Sequence, residues 1–336
     1  SLLEGIVQTL PRSRTALLAL LAAKEAVAGF TGLQDTAVIS ASTVGGMDLS
    51  ETRYAAWAAG EASDLQDVHE HPVGSHTTHV ARMLGSRALR TTISTACSSS
   101  ANALAMGAEL LLAGESDRVL AGGADALCRF TVEGFRALGA MDTAPVRPFS
   151  GDRAGMNLGE GAAYLILERE DDAARAGRTP LALLAGWCNS NDAHHQTATS
   201  PDGAGPYRAM AGALRMAGAT ANDVDHINAH GTGTDNNDGT ELAAMERLFP
   251  VMPPFTSTKG STGHTLGAAG ALEAVIAIIC MREGIIPASP NPIVPMAGHR
   301  SGPVTTTLRR PVRNVLSSSF GFGGNDTALY LTSPRP

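Results

Sequence analysis

Aromatic residues are scarce in this chain of 336 residues: Phe, Trp and Tyr together make up 4%. A core cannot then rest on large rings. It must be filled with small aliphatic side chains, and 37 glycines among abundant Ala, Val, Leu and Ile suit backbones that approach closely. Basic charge is also short, with 25 Lys and Arg against 32 Asp and Glu, a net charge of −7 and no long basic block. Nucleic acid is therefore not expected as a partner. The four cysteines, Cys97, Cys128, Cys188 and Cys280, are widely spaced and form no CxxC pair. Long apolar runs are absent too. The stretches near 15–23 and 265–281 are interrupted by small, polar or charged residues, so no membrane span is expected. The first ten residues lack the basic start and apolar run of a signal sequence, and a reducing, cytoplasmic setting is the expectation. What remains, 43% apolar and 17% charged, describes a globular chain long enough to bury a large core.

Hydrophobic patterning predicts a helix over 15–29, a strand at TAVISAS (36–42), and a polar, histidine-rich stretch from about 50 to 79. A short helix, a strand at RTTISTA (90–96), a helix from Ser98 to Leu112, and strands at RVLAGG and AAYLILER follow. The charged segment 169–180 (REDDAARAGRTP) shows no apolar periodicity and reads as a boundary. Beyond it the order repeats: a strand at LALLAG, a helix near 206–217, a strand at VDHINA, and a helix from Asp238 to Phe249. A strand around PFTST, a helix from about Thr265 to Met281, and strands at TTTLRR, NVLSSSF and TALYLT complete the series. Two α/β series of similar length, 1–175 and 176–336, predict a duplicated architecture with mostly parallel, buried sheets. The duplication lies in element order, not in repeated residues.

Four motifs carry chemistry. In Thr95-Ala96-Cys97-Ser98-Ser99-Ser100 a strand runs directly into a small-residue helix. Free N–H groups and the helix dipole at such a turn favour a thiolate and aim a backbone N–H at a developing oxyanion. On this motif alone, a nucleophile and a packed structural cysteine serve equally well. The other three cysteines read as packing. Asn228-Ala229-His230-Gly231-Thr232-Gly233-Thr234 ends a buried strand with an imidazole held by a Gly/Thr loop, at a sheet edge where α/β sites form. Its threonine hydroxyls could meet an amide-bearing substrate arm. Asp238 and Glu241 follow, and stabilisation of a helix N-terminus is sufficient to explain them. Ser257-Thr258-Lys259-Gly260-Ser261-Thr262-Gly263-His264 leads into an apolar helix containing Glu273. A buried carboxylate there needs a partner, and Lys259 is the candidate. Phe320-Gly321-Phe322-Gly323-Gly324-Asn325 describes a loop able to move and to present backbone N–H groups. It lacks the spacing of a phosphate-binding loop. His69, His71, His76 and His79 lie within eleven residues, but the spacing fits no standard metal site, and solvated loop histidines are the expectation.

Together these segments resemble the β-ketoacyl-acyl carrier protein synthases of the I/II type, in the thiolase superfamily. The resemblance covers nearly the whole chain, through TACSSS, GGAD (122–125), RPFSGDRAGMNLGEGAA (147–163), NDAHHQTATSPDGAG (191–205), HGTGT, STKGSTGHTLGAAG and FGFGG. It implies a thiolase-like α/β fold, two duplicated halves layered α-β-α-β-α. It also implies decarboxylative Claisen condensation of an acyl thioester with malonyl-carrier protein, by a Cys97, His230 and His264 triad. Lys259 and Glu273 match a supporting pair on the His264 side. The N–H groups of Cys97 and Phe322 match an oxyanion hole, with Phe322 also a gate. Thr232 and Thr234 match contacts to a pantetheine arm, and Phe135 falls near an acyl-pocket position. No metal or separate cofactor is implied, because the phosphopantetheine arm arrives on the carrier protein. The implied partners are that carrier, for which Arg12, Arg14 and Arg136 are candidate contacts, and a second subunit. The latter would be an identical chain or one resembling a chain-length factor. The chain departs from the pattern by beginning close to the family's first helix and by reading GGND where GGTN is usual. A thiolase would need a second cysteine in the last glycine-rich loop, which here carries Phe322. A non-catalytic partner subunit would typically lack Cys97.

Overall fold

A computed structural model describes residues 13–61 and 65–334. The first half runs α1 (Arg14–Ala26), β1 (Ala37–Ala41), α2 (Met47–Ala58), α3 (Ser75–Leu84), β2 (Arg90–Ile93) and α4 (Ser99–Leu112). It continues through β3 (Val119–Asp125), α5 (Arg129–Ala137), β4 (Gly161–Leu167) and α6 (Glu170–Arg175). The second half runs β5 (Leu183–Asn191), α7 (Ala204–Met216), β6 (His226–Asn228), α8 (Asp235–Leu248), β7 (Phe255–Thr256), α9 (Lys259–Thr262) and α10 (Ala269–Glu283). It ends with a short ribbon, β8 (Ile285–Ile286) and β9 (Leu308–Arg309), and the hairpin β10 (Asn314–Gly321) and β11 (Asn325–Thr332).

The strands form two main sheets, ordered β2-β1-β3-β4 and β5-β11-β10-β6-β7. In each, three neighbouring strands are parallel (β2, β1, β3 and β7, β6, β10) and an antiparallel strand follows (β4 and β11). The duplication expected from element order is thus one of topology. Four of the seven pairings in these sheets are parallel, as expected, and three are antiparallel: β3 with β4, β10 with β11, and β11 with β5. Unbroken apolar strands such as β1 and β3, buried at every position, report that both faces are covered. They carry no information on strand direction, which for β10 and β11 is set by the tight turn joining them.

Five layers result. Helices α1 and α3 cover the outer face of the first sheet, α4 and α10 lie between the sheets, and α7 and α8 cover the far face of the second. Three apolar clusters fill the spaces between them. Helix α10 is apolar on all sides because it packs on α4 and on both sheets at once. The abundance of small residues finds its use here. At Gly270 a Cβ would stand 2.7 Å from the Ala101 nitrogen of α4, so the two central helices cross backbone to backbone. The Ser100 hydroxyl accepts from the Ala271 N–H at 2.9 Å, satisfying a first-turn donor of α10 from the neighbouring helix.

Two expectations about loops change. The segment 169–180 contains α6, with Glu170, Asp171 and Asp172 in its first turn, too short a helix to show periodicity. The histidine-rich stretch is largely helical, and its histidines are not uniformly solvated. His69 and His71 are exposed, but His76 on α3 is fully buried, with Nε2 2.7 Å from the Ser40 hydroxyl, which in turn bonds the Tyr164 hydroxyl at 2.5 Å. Burial pushes the His76 ring down to about 4, so it is a neutral core residue. His79 pairs with Glu70 at 2.9 Å and His71 with Ser50 at 2.7 Å, so these two rings and His76 have three separate partners.

Replacing Gly270 by Ala should therefore destabilise the fold. The usual helix gain of about 1 kcal/mol is outweighed by overpacking of about 1–3 kcal/mol against rigid backbone. Thermal unfolding checks this; an unchanged or raised midpoint would contradict the close crossing.

Candidate active site

Cys97 sits where β2 gives way to α4, and the turn is held by the hydroxyls around it. Thr95 N–H donates to Ser99 Oγ at 2.8 Å, Ser99 Oγ donates to the Ala96 carbonyl at 2.5 Å, and Ser98 Oγ donates to the Thr95 carbonyl at 2.9 Å. Ala96 takes φ +53°, a left-handed value that costs a non-glycine residue about 1–2 kcal/mol. The three serines of the motif thus hold a strained elbow and, through Ser100, tie it to α10. The final loop closes over this elbow at Gly321, where a Cβ would lie 2.7 Å from the Thr95 carbonyl.

His230 follows β6, and His264 precedes α10. Their nitrogens and the Cys97 sulfur all lie within 4.8 Å of one another, and the two rings meet edge to face with centroids 5.4 Å apart. All three residues are buried. Hydrogen bonds set both tautomers. Leu266 N–H donates to His264 Nδ1 at 3.1 Å, so the His264 proton is on Nε2, which makes no hydrogen bond to the protein. Lys259 Nζ donates to His230 Nδ1 at 3.2 Å, so that ring also carries its proton on Nε2. Burial, and then the Lys259 charge, hold both imidazoles well below their usual range and keep them neutral.

Lys259 is 2% exposed, and its ammonium also donates to Glu273 Oε1 and to the His230 carbonyl at 2.7 Å. The expected pair is present, but it braces His230, not the His264 side. The supports of the His230 loop are equally direct. Glu241 accepts from the His230 and Gly231 N–H groups at 2.8 Å each, and Asp238 accepts from Gly233 at 3.1 Å and Phe149 at 2.7 Å. Both carboxylates clamp this loop, a larger role than the helix-end stabilisation the sequence required.

The thiol departs from expectation. Burial pushes Cys97 up to about 11, although Lys259 and the N–H groups of Phe322 and of Cys97 itself pull it down. At 6% exposure the loss of water outweighs the helix N-terminus, and the resting group is a thiol.

Two cavities meet at Cys97 and Phe322. One, about 250 Å³, is lined by Thr232, Thr234, Thr199, Asn236, His230 and His264 among others. The other, about 290 Å³, is apolar and includes Phe135, Met47, Phe130 and Leu266. Phe322 stands between them, its ring 5.6 Å from that of Phe135. Arg14 and Arg136 line neither cavity and are committed to Glu160 and Glu133; Arg12 lies outside the described residues. Among the described residues, Cys97, His230 and His264 form the one group with metal-ligating geometry. The Lys259 ammonium on His230 would repel a cation there.

Sequence reasoning overlooked Asp125. It accepts from Ser42 Oγ at 2.5 Å, Thr43 and Val44 N–H groups at 3.0 and 3.1 Å, and Gly267 N–H at 2.7 Å, fixing the turn after His264. A carboxylate ending an apolar strand, GGAD, was the available signal. Asn157 was also missed: its backbone carbonyl accepts from the His264 N–H at 2.8 Å.

With this geometry in place, the comparisons are consistent. Residues 10–173 match the beta-ketoacyl synthase N-terminal domain, and residues 181–292 match the C-terminal domain. The chain is 41% identical over 249 residues to 3-oxoacyl-[acyl-carrier-protein] synthase 2 of Rhizobium meliloti, covering 70% of this chain and 59% of that protein. It is 35% identical over 335 residues to nodulation protein E of Rhizobium meliloti, covering 96% and 83%. Among solved structures it superposes on the ishigamide ketosynthase/chain length factor with a TM-score of 0.92 at 34% identity, covering 96% and 83%. It superposes on a ketosynthase in complex with its chain length factor from Xenorhabdus doucetiae with a TM-score of 0.85 at 33% identity, covering 96% and 82%. The chain belongs to the β-ketoacyl synthase family, and its fold is thiolase-like. It spans 59% of the length of two of the curated relatives it matches.

Beneath the final loop, Asp326 is 1% exposed with Oδ2 unpaired, beside Asp192 across Gly205. Burial pushes its carboxyl up to about 8, Asp192 and Glu241 add to the shift, and Arg208 opposes it. The folded protein then holds a proton that the unfolded chain releases from about pH 4, so stability falls as pH rises between about 4 and 8. Asp326→Asn should remove this loss, gaining stability over the parent by a few kcal/mol at most at about pH 8 and little at about pH 4. Denaturant unfolding at both pH values checks it; an equal difference at the two would contradict the assignment.

Proposed function

We propose that this chain is a 3-oxoacyl-carrier-protein synthase whose acyl intermediate forms on Cys97. The observation that carries this reading is a thiol and two Nε2–H imidazoles within 4.8 Å, where a polar cleft joins an apolar cavity. The acyl group arrives as a thioester on the phosphopantetheine arm of an acyl carrier protein. The arm runs past Thr232 and Thr234, and the acyl chain lies beside Phe135. Cys97 Sγ attacks the thioester carbonyl, the carbon–sulfur bond to the carrier breaks, and the carrier thiol leaves with the proton that Cys97 gives up. Because burial disfavours a resting thiolate, that proton leaves as the bond forms, while the Cys97 and Phe322 N–H groups receive the oxyanion.

Malonyl-carrier protein then occupies the cleft, its thioester oxygen between His230 and His264. The carbon–carboxylate bond breaks, CO2 departs, and the electron pair enters the thioester as an enolate held by the two N–H donors. The enolate carbon attacks the acyl carbonyl, the bond to Sγ breaks, and Cys97 regains a proton from solvent. Neutral donors suit this step because they act most strongly on charge as it develops. Lys259 and Glu273 hold the His230 tautomer, Asp238 and Glu241 hold its loop, and Phe322 gates the passage between the cavities.

No metal or separate cofactor is needed in this reading. The carrier protein is the proposed substrate-bearing partner, in the setting of fatty-acid or of polyketide and polyene synthesis. A homodimer or a pair with a chain-length-factor-like subunit is the proposed assembly; two of the similar solved structures are ketosynthases with a chain length factor. The halves are proposed to divide near residue 175. Among the described residues no helix is long and apolar enough to cross a membrane, and a cytoplasmic setting without nucleic-acid or membrane partners fits the acidic charge and four free cysteines.

The test is incubation with an acyl-carrier protein, mass analysis of the Cys97 peptide, then addition of malonyl-carrier protein with CO2 and β-ketoacyl product followed. Acyl mass on Cys97 followed by condensation is expected, and Cys97→Ala should reduce product formation by at least about a thousandfold. An intact, reduced Cys97 that takes no acyl group would overturn the reading.

A further inference from the structure

The loop that carries Phe322 is fastened along one side. Gly323 N–H donates to the Gln196 carbonyl at 2.8 Å, Asn191 Nδ2 donates to the Gly323 carbonyl at 2.9 Å, and Asp192 N–H donates to the Gly324 carbonyl at 3.3 Å. Both glycines take left-handed φ, +80° and +73°, and a Cβ at Gly324 would stand 2.2 Å from Asp192 Oδ1. The loop thus lies directly on the Asp192 carboxylate. That carboxylate is engaged by the N–H groups of His194 at 3.2 Å and Ser200 at 2.7 Å.

Directly after this loop stands Asp326, the last residue of the GGND segment in which the chain departs from GGTN. Its immediate surroundings offer an anion little. Oδ2 makes no hydrogen bond. A Cβ at Gly205 would stand 2.0 Å from that oxygen and 3.0 Å from the Asp192 Cβ, so both acidic side chains flank the start of α7. Ser190, the cross-strand partner of Asp326, turns its hydroxyl to the Gly205 carbonyl at 2.7 Å. Charged groups face Asp326 from three elements: Asp192 after β5, Glu241 on α8 and Arg208 on α7. Arg208, the one cation of the three, also donates to the Asn191 carbonyl at 2.9 Å. Strand β10, on the other side, brings no titratable side chain.

An uncharged carboxyl is tolerated in such a place, and a carboxylate between Asp192 and Glu241 is not. We propose that Asp326 is a positioning residue for the Phe322 loop and that it works only while it carries a proton. Uncharged, it packs beside Asp192 and keeps the loop closed, with the Phe322 N–H over Cys97. Ionised, it is repelled by two carboxylates and drawn towards water, and the loop loosens as the proton passes to solvent. The use of that N–H as an oxyanion donor rests on the condensing reading proposed above; the latch itself does not.

The closed loop holds the proton up to about pH 8, whereas an opened, hydrated carboxyl loses it at about pH 4. Opening therefore releases a proton across this range, and it becomes more favourable by up to about tenfold for each pH unit gained. Above about pH 8 neither state holds the proton and the dependence ends.

Amide hydrogen exchange of the full chain, read by mass on peptides covering 320–326, tests this in the parent and in Asp326→Asn, which stays uncharged at every pH. The ratio of the two rates cancels the intrinsic pH dependence of exchange. Between about pH 6 and about pH 8 the parent-to-variant ratio should rise at least severalfold at the loop and stay constant in peptides from α1. A loop ratio that is the same at both pH values would overturn the proposal, because a purely structural aspartate shifts exchange equally at each pH. A rise shared by α1 would overturn it too, since that reports unfolding of the whole chain. No substrate is used, so failure of Cys97 to take an acyl group would sink the condensing reading and leave this result untouched.

Discussion

A single buried ammonium organises the chemistry of this protein. Lys259 has three N–H donors and no acceptor, and it meets three acceptors: the Glu273 carboxylate, the His230 carbonyl and His230 Nδ1. Burying such a charge is costly unless every donor is engaged, and here each one is. The consequence reaches the active face of the ring. With Nδ1 accepting, the His230 proton must sit on Nε2, towards Cys97, and the positive charge behind the ring opposes its protonation. His264 reaches the same state differently, through a backbone N–H from Leu266. Two neutral donors then face one thiol.

The architecture explains why these residues can be held so firmly. Cys97 starts one central helix and His264 introduces the other, and the two helices cross at Gly270 and Ala101 with Ser100 bonded between them. Segments from the first half support the second: Asn157 receives the His264 N–H, Phe149 donates to Asp238, and Asp125 receives Gly267. The site belongs to the contact between the two α/β series and could not be formed by either alone.

Much of this was legible in the sequence, for identifiable reasons. Cys97, His230 and His264 each stand at a junction of strand, glycine-rich loop and helix, and such junctions leave a local pattern. The Lys259–Glu273 pair could be inferred because a carboxylate within an apolar helix requires a counter-charge. What could not be read depended on which surfaces meet. Lys259 lies 29 positions from His230 and only five from His264, yet it is His230 that it touches. The same limit applies to the Cys97 thiol: its helix N-terminus is local and visible, whereas the burial that outweighs it is a property of the folded whole. His76 makes the point from the other direction. A cluster of four histidines looks like a surface feature until α3 turns one of them into the core beside Ser40.

The arrangement at Cys97 thus depends on two uncharged rings with their protons on the same nitrogen. The most direct measurement is nitrogen NMR of the full chain with labelled histidine, assigned by loss of signals in His230→Ala and His264→Ala. Between about pH 6 and about pH 8, where an ordinary histidine titrates, both rings should remain neutral with the proton on Nε2. A ring that takes up a second proton in this range, or that carries its proton on Nδ1, would contradict the Lys259 and Leu266 hydrogen bonds as the basis of the site.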